Sequence, residues 1–76
     1  MIEPDKVKSI LKEAFPDAII ELEDLTGTKD HYQAEIISTA FAGKSPVEQH
    51  QLVYAALAEE MKGPIHALAL KTKTPG

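Results

Sequence analysis

Three histidines are the nitrogen donors this sequence can offer a metal: His31 in "KDHYQAEIIS", His50 in "VEQHQLVY" and His66 in "GPIHALALK". There is no cysteine. Disulfides, thiolate nucleophiles and a self-sufficient cysteine-based zinc or iron–sulfur site are therefore excluded. Neutral imidazole is a common metal ligand, and a strand holds it in a fixed direction. A metal site built by this chain alone must draw on its histidines and carboxylates. No two histidines stand at a short metal-binding spacing such as H-x-x-x-H, so spacing alone reaches only a partial site. Each histidine also has a plain reading. His66 is then a residue at the solvent-touching start of a strand, and His31 an ordinary turn residue. His50, inside a helix, rests its ring against the core, hydrogen-bonds at the edge and is not a ligand.

The elements that position these side chains follow from periodicity. Val7, Ile10, Leu11 and Ala14 form one apolar stripe at helical spacing. Pro4 suits the first turn of that helix, and Pro16 ends it by driving residue 15 out of the α region. "DAIIELED" reads as a strand in which Ile20 and Leu22 alternate with Glu21 and Glu23. "LTGTKD" is a turn, and "HYQAEIIS" is a second strand with Tyr32, Ala34 and Ile36 on its apolar side. His31 falls at the turn-side end of this hairpin. "TAFAGK" connects, with room for a short helical turn.

Ser45, Pro46 and Glu48 spell a capping box. The helix it opens is expected to run through "VEQHQLVYAALAEEMK" to a left-handed cap at Gly63, with Pro64 beyond. Val47, Tyr54, Leu57 and Met61 make its apolar stripe, widened by Val53 and Ala58. "IHALALKT" is the last strand. Its parity sets His66, Leu68 and Leu70 on one face and Ile65, Ala67, Ala69 and Lys71 on the other. The order is α-β-β-α-β, an α+β domain with a three-stranded sheet and helices on one face.

Composition narrows the function classes. At 76 residues the chain forms one domain, residues 1–76, with a modest core. A domain of about 60 residues buries only about 60% of its unfolded surface. That leaves no room for a deep substrate cavity plus a catalytic constellation, which disfavours a free-standing enzyme. The longest apolar runs fall far short of a membrane span, and "MIEPDKVKSI" is unlike a signal or transit peptide. A cytoplasmic, membrane-free protein is expected. Twelve acids face eight bases, all of them lysine, for a net charge of −4. Phosphate-driven binding needs a basic face, and bidentate guanine reading leans on arginine. Neither is present. "AGKS" lacks the first glycine of a P-loop, and no G-x-x-G clamp occurs.

The longer strings are more specific than any single histidine. "ELEDLTG" at 21–27, "HYQAEIIS" at 31–38, "FAGKSPVEQHQLVYAAL" at 41–57 and "IHALALKTKTP" at 65–75 together resemble the BolA-like protein family over nearly the whole chain. The resemblance implies a class II KH-like fold, consistent with the order read above. It also implies a partner, a monothiol glutaredoxin of the CGFS type, with which family members share a bridging [2Fe–2S] cluster. The glutaredoxin cysteine and a bound glutathione supply sulfur in that heterodimer. By resemblance the remaining ligands are the histidine of "IHAL", His66, and the histidine of "DHY", His31. The implied role is iron–sulfur cluster trafficking or iron sensing. Two other family-level roles stand beside it: a DNA-binding regulator of morphology or stress genes, for which Lys44, Lys71 and Lys73 are the bases that could gather, and an adaptor that docks on glutaredoxin without a cluster.

Overall fold

The computed structural model describes residues 2–27, 31–63, 65 and 67–75. Helix α1 spans Pro4–Ala14 and is followed by the antiparallel strands β1 (Ile19–Asp24) and β2 (His31–Ile37). A 3-10 turn at Thr39–Phe41 leads to α2 (Pro46–Ala56), the short α3 (Ala58–Met61) and β3 (Ala67–Lys73). The sheet order is β1-β2-β3, with β3 parallel to β2. The α+β order and the three-stranded sheet are those expected.

Helix α1 starts on Pro4, with Asp5 in its first turn and Lys12 in its last, which matches the helix dipole. It buries Val7 and Leu11. The stripe continues into the buried Phe15, while Ala14, expected inside, is exposed. Phe15 leaves the helical region before Pro16, at φ −132° and ψ 78°. The Lys12 ammonium then donates to the Pro16 carbonyl (3.1 Å) and the Ala18 carbonyl (2.8 Å), tying the helix exit to the start of β1.

In β2 the side chains of Tyr32, Ala34 and Ile36 are fully buried, as a period of two requires. They meet Val7 and Leu11 of α1, Phe41, Val53 and Leu57 in one core. The Phe15 and Phe41 rings pack at 5.3 Å between centroids, tilted by 52°. The opposite face of the sheet carries the exposed Glu21, Glu23, Gln33 and Lys71.

The second helical region departs from its sequence reading in three ways. The helix is interrupted at Leu57 (φ −104°, ψ 19°) rather than running to residue 62. Its buried face centres on Val53 and Leu57, flanked by Leu52 and Ala56. Val47, Tyr54 and Ala58, read as core, are exposed. Apolar residues lie on nearly every side of this helix, so periodicity alone does not select a face. Gly63 does not take the left-handed cap; positive φ occurs at Gly27 (75°) and Gly43 (73°) instead. The last turn tightens through i−3 bonds, Lys62 N–H to Glu59 and Gly63 N–H to Glu60. Ile65, which strand parity sets with Ala67, Ala69 and Lys71, lies before β3 and is buried while those three are exposed; its N–H bonds back to the Glu60 carbonyl at 2.9 Å. The parity read for His66, and Pro64 beyond the helix, fall outside the described residues.

Candidate functional site

The parallel pairing of β2 with β3 aligns the first residues of both strands: His31 is the partner of Ala67, and Tyr32 of Leu68. The sequence reading put His31 at the turn-side end of its strand, and the structure places it there, half-buried. The hairpin holds it. The Leu25 N–H donates to the His31 carbonyl at 2.9 Å, and the Gly27 N–H donates to Asp24 Oδ1 at 3.0 Å. At the turn, Gly27 supplies the positive φ that a β-carbon would penalise. Next along β2, Tyr32 is fully buried, and its hydroxyl donates to the Ile2 carbonyl, which clamps this end of the strand under the N-terminal segment.

Of the two histidines read as ligands, His66 lies outside the described residues. Its chain neighbour Ala67 is the residue paired with His31. His50 sits half-buried in α2. Among the described residues no three His, Asp or Glu side chains converge as a metal-holding group. Leu25, 49% exposed, adds an apolar surface beside the start of β2.

The open face of the sheet is polar. A shallow hollow of about 390 Å³ is lined by Glu21, Leu22, Glu23, Gln33, Glu35 and Lys71. Glu21 and Glu35 are direct cross-strand partners, a like-charge pairing that costs stability unless offset. Lys71 is the partner of Glu35 on the other side, and the Lys73 ammonium lies 3.7 Å from Glu35 Oε2.

At the far end of the sheet Asp17 closes the structure. Its carboxylate accepts the Thr39 N–H (2.8 Å), the Thr39 hydroxyl (2.7 Å) and the Ser38 hydroxyl (2.8 Å). Led by the Thr39 backbone bond, these hold its pKa down at about 2. Asp17 and Thr39 are 22 residues apart, and no local sequence pattern announces the contact. The capping box is formed as read. The Glu48 N–H donates to Ser45 Oγ (3.2 Å), and the Ser45 N–H donates to Glu48 Oε1 (2.9 Å), which lowers the Glu48 pKa. Gln49 is a second junction missed by sequence reasoning. Its amide donates to the Lys44 carbonyl (2.9 Å) and accepts the Thr72 hydroxyl (2.6 Å), fixing the loop around Gly43 against β3.

Comparison with known proteins agrees with this architecture. The family model described as "BolA-like protein" matches residues 9–76. The chain belongs to the BolA-like protein family. It is 38% identical over 76 residues to human BolA-like protein 1, an alignment covering 91% of this chain and 56% of the human protein. It thus spans little more than half the length of that relative. It is 30% identical over 77 residues to the DNA-binding transcriptional regulator BolA of Escherichia coli, covering 92% of this chain and 73% of that protein. Among solved structures, BolA1 from Arabidopsis thaliana superposes with a TM-score of 0.87 at 30% identity, covering 97% of this chain and 95% of that one.

Proposed function

We propose that this protein is the partner of a monothiol CGFS glutaredoxin, with which it shares a bridging [2Fe–2S] cluster for cluster trafficking or iron sensing, and that it has no enzymatic activity of its own. His66 and His31 are the ligands from this chain, and the glutaredoxin cysteine and glutathione complete the set. The observation that carries the reading is the β2–β3 register. His31 is paired with Ala67, and Ala67 is one peptide link, about 3.8 Å between Cα atoms, from His66. The donor chemistry fits a shared site and not a self-contained one. The sequence has no thiolate, and the described residues gather no three-ligand group. Histidine ligation of one iron beside sulfur ligation of the other is established chemistry. When bound, such a cluster supplies a one-electron redox centre and a transferable iron–sulfur unit. The same reading places the protein in the cytoplasm; no helix among the described residues is long and apolar enough to cross a membrane.

The test is anaerobic co-purification with a CGFS glutaredoxin, followed by visible absorption and circular dichroism. The isolated protein should be colourless. In the complex, His66→Ala should abolish or strongly alter the cluster spectrum, His31→Ala should perturb it less, and His50→Ala should leave it unchanged at some cost in stability. A folded His66→Ala protein with a wild-type cluster spectrum would sink the ligand assignment. A complex that forms but never acquires colour would leave the adaptor role.

DNA-binding regulation is the second reading, favoured by the name of the Escherichia coli relative. Three features here oppose it. The start of α2, where a phosphate would meet free N–H groups, is occupied by the Glu48 carboxylate. The open sheet face carries three glutamates, and the chain has no arginine.

A further inference from the structure

Strand β3 lies at the edge of the sheet. The Lys73 carbonyl accepts the Ser38 N–H just beyond β2 at 3.0 Å. Backbone groups alternate along a strand, so Lys73, Lys71, Ala69 and Ala67 face β2, while Leu68, Leu70 and Thr72 turn their N–H and C=O groups outward. The first half of this edge, Ala67–Leu70, is uncharged and free of proline, the composition that invites another strand. One outward carbonyl is already occupied. The Tyr54 hydroxyl, reaching over from α2, donates to the Leu68 carbonyl at 3.2 Å. Tyr54 is otherwise 40% exposed, so burial of its ring does not by itself account for its placement.

We infer that Tyr54 is an edge guard, and that the strand it keeps out is β3 of a second copy of this chain. The outward residues are symmetric about Leu70. An antiparallel two-fold pair would set Leu70 opposite its own copy and Leu68 opposite Thr72, each exchanging backbone bonds. Charge favours that arrangement over the parallel one. Lys71 would face Ala69 and Lys73 would face Ala67, whereas a parallel in-register pair sets lysine against lysine. The Leu68–Thr72 exchange needs the carbonyl that Tyr54 holds. A carbonyl has two lone pairs, so the guard acts by placing its phenol beside the edge where the second strand must approach as well as by occupying one of them.

Sedimentation velocity on the wild type, Tyr54→Phe, Tyr54→Ala and Tyr54→Ala/Leu70→Pro tests this, each protein first shown folded by circular dichroism. Proline at position 70 removes an outward N–H, a change that edge strands accommodate, and also the half-buried Leu70 side chain that packs against the core. Leu70→Ala, which keeps the N–H, is therefore run beside it and should leave the Tyr54→Ala dimer in place. The wild type should be monomeric. Tyr54→Ala should raise the association constant by roughly tenfold or more, Tyr54→Phe should move it the same way by less, and Leu70→Pro should return the double variant to monomer. Should Tyr54→Ala fail to fold, Tyr54→Phe decides alone, through a rise in self-association that Leu70→Pro removes. Folded Tyr54 variants that stay monomeric overturn the inference. So does a wild type that dimerises with Tyr54 in place, or a variant dimer that survives Leu70→Pro.

Discussion

Asp17 shows what one side chain does for the frame of the sheet. Its carboxylate joins the segment between α1 and β1 to the 3-10 turn after β2, and through Ser38, whose N–H reaches the Lys73 carbonyl, to the end of β3. The folded pKa is about 2 against an ordinary 3.8. A depressed carboxyl stabilises the fold fully above its unfolded value, and that contribution fades as pH falls through the folded one. Thermal melts of the wild type and Asp17→Asn should therefore differ most above pH 3.8 and converge toward pH 2. Because the carboxylate is solvent-exposed, the gap should also narrow in salt. A gap between the two proteins that stays constant across this acid range would show that the hydrogen bonds, and not the charge, are what Asp17 supplies.

At the scale of elements, α2 separates the capping signal from the packing signal. Ser45 and Glu48 cap the helix as a local pattern dictates, and Ser45→Ala should cost about 1 kcal/mol. Leu57 and Val47 belong to the same apolar stripe in sequence, yet Leu57 is fully buried and Val47 is 66% exposed. Urea denaturation should distinguish them sharply. Leu57→Ala should lose about 2–5 kcal/mol, as truncation of a core leucine does, and Val47→Ala less than about 0.5 kcal/mol. Comparable losses at both positions would mean that the helix turns its Val47 side, not its Val53 side, to the sheet.

The molecule as a whole is acidic, and its charge bears on the choice between the two proposed roles. Binding to nucleic acid carried by a few lysines should be weak, non-specific and steeply salt-dependent. A footprint on a defined promoter that persists at physiological salt would reverse the ranking in favour of the regulator. Much of the architecture was legible in the chain because its signals are local. A proline ends α1, Tyr32, Ala34 and Ile36 alternate with polar neighbours, and Ser45 with Glu48 closes a cap within one helical turn. The absence of cysteine is likewise legible in the sequence alone: any thiolate ligand of the proposed cluster would have to come from a partner. Other features depend on residues far apart in sequence, and only the tertiary structure decided them. The buried face of α2 was set by what the sheet offered it, since a helix apolar on nearly every side has no preference of its own. Asp17 found Thr39, and Tyr54 found the Leu68 carbonyl, because packing the helices onto one face of the sheet brought them together. The alignment of His31 with Ala67 is of the same kind: a parallel register between strands separated by two helices is fixed by the core they share, and no stretch of sequence records it.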